Sequence, residues 1–138
     1  MEEINRTNYV ELRGVLADAP TYSHQIREER FFIFPLEVPR LSGTTDRLNI
    51  IVREGLLDSS CIPPGTCLHV WGELRSFNNK SGSGPKLVIT VFARGLEPDS
   101  GEAMNLVTLR GTICKPPSYR TTPMGREICD LMIAVNRK

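Results

Sequence analysis

Residues 105–138 read NLVTLRGTICKPPSYRTTPMGREICDLMIAVNRK, and this stretch decides the fold because it is a second copy of the chain's beginning. Displaced by 97 positions, Asn8–Arg40 lies on Asn105–Arg137 without a gap. Asn8, Val10, Leu12, Arg13, Gly14, Pro20, Tyr22, Val38 and Arg40 meet identical residues at Asn105, Val107, Leu109, Arg110, Gly111, Pro117, Tyr119, Val135 and Arg137. The apolar phase is kept as well, with Phe34 and Leu36 falling on Leu131 and Ile133. A repeat this long reads as duplication of a whole module, since solenoid units run to about 20–50 residues. The expected organisation is one complete domain over 1–97, a linker over 98–104, and the first two strands of an incomplete second copy over 105–138.

Outward from the repeat, residues 8–18 alternate in the manner of a strand, with Val10, Leu12 and Leu16 in one phase. Gly14 inside it predicts a bulge or a sharp bend. Pro20–Arg30 is polar and reads as a hairpin loop. In the second strand, 31–38, Phe32, Phe34, Leu36 and Val38 form the core phase, and Pro35 implies an edge or a bulge. Residues 47–53 make a third strand with Leu48, Ile50 and Val52 inward. Glu54–Ser60 is long enough for about two helical turns. Thr66–Phe77 is the fourth strand, with Leu68, Val70 and Leu74 on one face. Asn78–Pro85 is a polar hairpin tip, and Lys86–Arg94 is the fifth strand. Five strands with one short helix between the third and fourth predict an all-β chain. Its first part is a five-stranded Greek-key barrel of the oligonucleotide-binding (OB) type, followed by a β-hairpin that starts a second OB repeat. A small sandwich is the main competitor.

Composition narrows the function classes. The chain has 138 residues and a net charge of +1, so no overall field attracts a polyanion; affinity for one must come from local clustering of the 17 lysines and arginines. Cys61, Cys67, Cys114 and Cys129 show no C-x-x-C spacing, which predicts free thiols, no metal and no other cofactor. The start has no apolar targeting segment, and no run approaches the roughly 18 apolar residues of a membrane span. A cytoplasmic, nucleoid-associated location is expected. His24 and His69 lie near no nucleophile and carboxylate in sequence, and Ser81–Gly84 lacks the Lys-Ser/Thr pair of a phosphate loop. No catalytic set is found.

The loop Pro116–Arg126 and the strand Leu131–Arg137 resemble the opening of bacterial single-stranded DNA-binding proteins and their primosomal replication protein N relatives. Members begin with a strand ending in Leu-x-Gly, a loop with Pro, Arg and Gly, and a second strand close to L-A-V-x-R; here Ile133 replaces that Leu. Leu12-Arg13-Gly14, Pro20 and the strands VWGELRSF and KLVITVFA resemble the family too, whereas Gln25–Arg30 departs from its Gly-containing loop tip. The resemblance implies an OB fold and sequence-tolerant binding of single-stranded DNA in replication, repair or recombination. The family's acidic tail tip has no counterpart in these residues.

Such binding needs cations along the phosphates and flat side chains for base stacking. The outward phases offer Phe31 and Ile33, then Arg47, Asn49 and Arg53, then Trp71, Arg75 and Phe77; Arg27, Arg30, Lys80 and Lys86 flank the two long loops. Trp71 could equally cover core or a subunit interface, and each single arginine could be merely solvated. The alternatives are an RNA-binding module on the same fold and a protein-interaction barrel without nucleic-acid binding. The expected partners are single-stranded DNA, with RNA as the alternative, other replication proteins, and further copies of the chain. Self-association is expected through strand edges or the 105–138 hairpin: either these 138 residues are a fragment of a longer tandem protein, or the hairpin packs on another surface, the first barrel or a second chain.

Overall fold

The computed structural model describes residues 7–57, 62–78, 82–84 and 87–136. Alternation of apolar and polar side chains makes β1 (Asn8–Leu16), whose Val10, Leu12 and Leu16 turn inward. The same rule places Phe34, Leu36 and Val38 of β3 (Glu29–Pro39), and Ile50 and Val52 of β4 (Thr45–Arg53), in one interior. Leu68 and Val70 of β5 (Cys67–Asn78) and Val91 and Ala93 of β6 (Leu87–Pro98) complete it. Each of these Val, Leu, Ile and Phe side chains, fully buried, contributes about 1.5–3 kcal/mol, which makes this cluster the main stabilising element. Between β4 and β5 stands one helical turn, α1 (Glu54–Leu57), whose Leu56 and Leu57 pack against the cluster. The rest of the expected helix lies outside the described residues.

The strands pair in the order β3–β4–β6–β5–β1, and β1 returns to β3 through Val15↔Glu37 and Leu16↔Leu36. This closes a five-stranded barrel. Its one parallel contact, Ile50↔Val91 and Ile51↔Phe92 between β4 and β6, is the seam of the Greek key; the other neighbours run antiparallel. The expected OB barrel is therefore present.

The structure corrects the reading of Pro20–Arg30. It is not a loop: Thr21–Ile26 forms β2, paired with the start of β3 from Tyr22↔Phe32 to Ile26↔Glu29, with a register shift between Tyr22 and His24. An exposed edge strand needs no apolar face, so its polar composition hid it. Pro35 falls where β3 changes partners, after its pairing with β2 ends at Ile33 and before its pairing with β1 begins at Leu36, so its missing amide breaks no ladder on that side. Its carbonyl accepts from the Ala17 amide at 3.0 Å. Gly14 marks the closure: a Cβ there would sit 2.4 Å from the Glu37 carbonyl oxygen.

Beyond the barrel, β7 (Met104–Leu109) adds to the free edge of β1 in the same chain. The pairs run from Asn8↔Leu109 through Val10↔Val107 and Leu12↔Asn105 to Arg13↔Met104. Val10 and Val107 are repeat-related, so the two first strands meet about a local two-fold centred on that pair. Arg13 fixes the turn that leads into β7. Its guanidinium bonds Asp99 at 3.0 Å and donates to the Glu102 carbonyl at 3.1 Å.

The remaining strands are β8 (Thr112–Ile113), β9 (Ser118–Thr121), β10 (Glu127–Asp130) and β11 (Ile133–Ala134). Their pairs Ile133↔Ile113 and Ala134↔Thr112 lie 97 positions on from Leu36↔Leu16 and Glu37↔Val15. Likewise Cys129↔Tyr119 and Asp130↔Ser118 follow Phe32↔Tyr22 and Ile33↔Thr21. Gly111 repeats the close approach of Gly14, here to the Ala134 carbonyl. The interior of this segment is open. Val107, Leu109, Ile113, Leu131 and Ile133 are exposed, whereas their counterparts Val10, Leu12, Leu16, Phe34 and Leu36 are at most 1% exposed.

Candidate nucleic-acid interface

The outer face of the barrel across β3, β4, β6 and β5 is built by the phase opposite to the core. Register sets its rows: Ile33 stands beside Ile51, Ile51 beside Phe92, and Phe92 beside Glu73. One step along, Phe31 pairs with Arg53, and on the other flank Arg75 pairs with Thr90 and Phe77 with Val88. Six candidates from the sequence, Phe31, Ile33, Arg53, Arg75, Phe77 and Asn49, thus share this face, Asn49 at its margin opposite Pro35.

The aromatic groups form a chain of contacts. His24 of β2 lies nearly parallel on Phe31, with centroids 4.8 Å apart and planes at 10°, and Phe31 reaches Phe92 at 5.9 Å. The register shift in β2 brings the imidazole over that ring. Phe31 is therefore buried, 7% exposed, and the flat surface presented to solvent there is that of His24. The Arg75 guanidinium carbon lies 3.8 Å from the Phe92 centroid, and that of Arg94 lies 5.1 Å away. Both arginines turn to Glu73, whose Oε1 accepts from Arg94 Nε at 2.9 Å and whose Oε2 is 3.6 Å from Arg75 Nε. Phe77, 53% exposed, extends the apolar strip toward the β5–β6 tip.

The remaining cations differ in how far their charge is already met. Arg30 pairs with Glu54 at 2.7 Å, and Arg47 faces Asp18 at 2.8 Å and Glu37 at 3.6 Å. Arg53 is exposed and pairs with no carboxylate among the described residues. Arg27 occupies the tip of the β2–β3 hairpin with φ 56°, its carbonyl accepting from the Gln25 side-chain Nε2 at 2.9 Å. An open groove between this tip and α1 is lined by Arg27, Arg30, Phe31 and Glu54. Lys80 and Lys86 lie outside the described residues.

Trp71 lies at the opposite end of the outward row of β5. It sits between Glu11 of β1 and Gly95 of β6, and a Cβ on Gly95 would come within 2.3 Å of the indole. The ring therefore lies flat on bare backbone, with His69 at 5.1 Å. Its surroundings are acidic. His69 Nε2 meets Glu11 at 2.8 Å, and on its other side His69, Glu97 and Asp99 bring one ligand atom each to within 4.8 Å of one another. The Gly101 amide and the Arg13 guanidinium hold the Asp99 carboxyl below the usual carboxylate range. The structure thus separates Trp71 from the arginine-rich end of the face.

Scans of the sequence against family models and against curated proteins give no match. Solved structures do. The N-terminal domain of PriB protein from Thermoanaerobacter tencongensis, whose structure is dimeric, is 38% identical. It covers 68% of this chain and 98% of its own, with a TM-score of 0.59. The chain belongs to the bacterial single-stranded DNA-binding protein/PriB family of OB folds. A fold likeness of longer reach is to the wild-type single-stranded DNA-binding protein from Thermus aquaticus, at 23% identity and TM-score 0.78. That match covers 94% of this chain and 68% of the other.

Within this SSB/PriB-type barrel, sequence reasoning missed His24, Ile51, Phe92, Arg94 and Glu73. Phe92 carried a usable signal: it alternates with Val91 and Ala93 and so had to face outward. His24 carried none, because a strand that buries neither face shows no apolar period. No described helix is long and apolar enough to cross a membrane.

Proposed function

We propose that this protein binds single-stranded DNA without strong sequence preference, as a non-catalytic module of replication acting in the cytoplasm. Bases would stack on the His24–Phe31–Phe92–Arg75 array at the planes it turns outward, those of His24 over Phe31 and Arg75 over Phe92, and on Phe77. Phosphates would be met chiefly by Arg53 and Arg27, Arg30 being already paired with Glu54. The observation that carries the reading is that continuous array, flat groups from four strands with cations at its margins, since stacking is indifferent to base identity and charge tracks the backbone. Membership of the family that PriB shares with bacterial single-stranded DNA-binding proteins, such as the one from Thermus aquaticus, supports it. The test is the anisotropy of a labelled oligo-dT titrated with the full chain at low and high salt. Saturable binding that weakens with salt is expected, because phosphate contact releases counterions. Absence of binding at low salt refutes it, and preference for oligo-U over oligo-dT would move the reading to RNA.

We further propose that residues 105–136 open a second OB copy and that this segment mediates self-association. The coinciding registers and the exposed counterparts of buried core residues support this, as does the dimeric structure of the PriB relative. Sedimentation of the full chain against a Val107→Asp/Leu109→Asp/Ile133→Asp variant tests it. A mass that does not fall in the variant refutes self-association through this face.

A further inference from the structure

A carboxylate in the middle of a face that meets phosphates needs a reason. Glu73 is 5% exposed, and it is held between two guanidiniums that also lie against one aromatic ring. Arg94 reaches it because it is the extra residue of a β-bulge: Trp71 pairs with Gly95 and Gly72 with Ala93, which leaves Arg94 between them. Phe92 supplies the floor, and Arg75 lies 3.8 Å above it at van der Waals stacking distance. The chain has spent two cations and a bulge on setting one carboxylate beside Phe92.

A phosphate would not simply draw these arginines away. Removing either partner leaves a nearly buried carboxylate short of compensating charge, and a buried unpaired charge is strongly unfavourable. The guanidinium of Arg75 therefore stays on the ring. A guanidinium is planar and delocalised, and its plane accepts a nucleobase as an aromatic ring does. We infer that Arg75 is a base-stacking residue, its guanidinium carbon over the Phe92 ring, and that Glu73 is the positioning residue that keeps it there. Arg75 then contributes surface rather than phosphate charge, and the Glu73–Arg75–Arg94 triad adds only one net positive charge to the face.

This rests on the single-stranded DNA reading, and the experiment separates the two. Full-length wild type, Arg75→Lys and Glu73→Gln are titrated against labelled oligo-dT from low to high salt, with each variant's fold checked by circular dichroism. Arg75→Lys keeps the charge and loses the plane. It should weaken binding about tenfold, the lower part of what one stacked base contributes, with the salt slope unchanged. Glu73→Gln should weaken binding at high salt although it removes a negative charge from the face. Electrostatics alone demands the opposite sign. Full affinity in Arg75→Lys, a lowered salt slope in that variant, or tighter binding by Glu73→Gln at every salt concentration overturns the inference while leaving DNA binding standing. Failure of wild type to bind overturns the DNA reading itself. If Glu73→Gln does not fold, Arg75→Lys at a half-buried position decides alone.

Discussion

Arg53→Ala should change the electrostatics of DNA binding where Arg47→Ala does not, although both are exposed arginines of β4. Arg47 already meets Asp18 at 2.8 Å and Glu37 at 3.6 Å, so much of its charge is answered within the free protein. Arg53 stands opposite Phe31, at the aromatic end of the face, and pairs with no carboxylate among the described residues. Each phosphate contact on a single strand adds about 0.7 to the slope of log affinity against log salt. Loss of one contact should therefore flatten the slope by about 0.7. Over a fourfold rise in salt, wild type should then lose about 2.6-fold more affinity than Arg53→Ala does. Arg47→Ala should keep the wild-type slope to within about 0.2. The assay is oligo-dT anisotropy at four or more salt concentrations, repeated for both variants in one buffer. Equal flattening by the two variants, or the greater flattening by Arg47→Ala, would refute the rule that a cation's existing ion pairs decide its share of phosphate binding.

Three further outcomes follow from the geometry. Gly14→Ala forces a Cβ to within 2.4 Å of the Glu37 carbonyl; chemical denaturation should show a loss of about 1–3 kcal/mol, the range for overpacking, and wild-type stability would contradict the closure described. Tyr9→Cys with Thr108→Cys, with the native cysteines changed to serine, places thiols on directly opposed residues of β1 and β7, within disulfide reach. Oxidation should give an internally bridged monomer on a non-reducing gel; a cross-linked dimer would mean that β7 pairs with another chain. Asp99, whose carboxyl is lowered by the Gly101 amide and Arg13, contributes stability that is full above the unfolded carboxylate value of about 3.9 and is lost as pH falls through its lower folded value. Asp99→Asn should therefore show a shallower fall in melting temperature below about pH 4 than wild type, and parallel curves would refute that account.

The strands, their order and their inward residues were legible in the sequence because burial imposes a period of two on each strand. Leu36, Ile50 and Val70, none of them measurably exposed, announce themselves by alternation alone. The 97-residue displacement was legible too, and it carries over to the registers Leu36↔Leu16 and Ile133↔Ile113. The strand β2 was not, since an edge strand with exposed faces imposes no apolar period. Nor could alternation tell which outward residues become neighbours. It placed Phe31, Trp71 and Arg75 on outward phases, but the parallel β4–β6 seam and the bulge at Arg94 gather Phe31, Phe92 and Arg75 and leave Trp71 on Gly95 beside Glu11 and His69. Phase is a local property, written residue by residue. Register, barrel closure and the pairing of β7 with β1 depend on contacts between distant segments, and only the folded chain decides them.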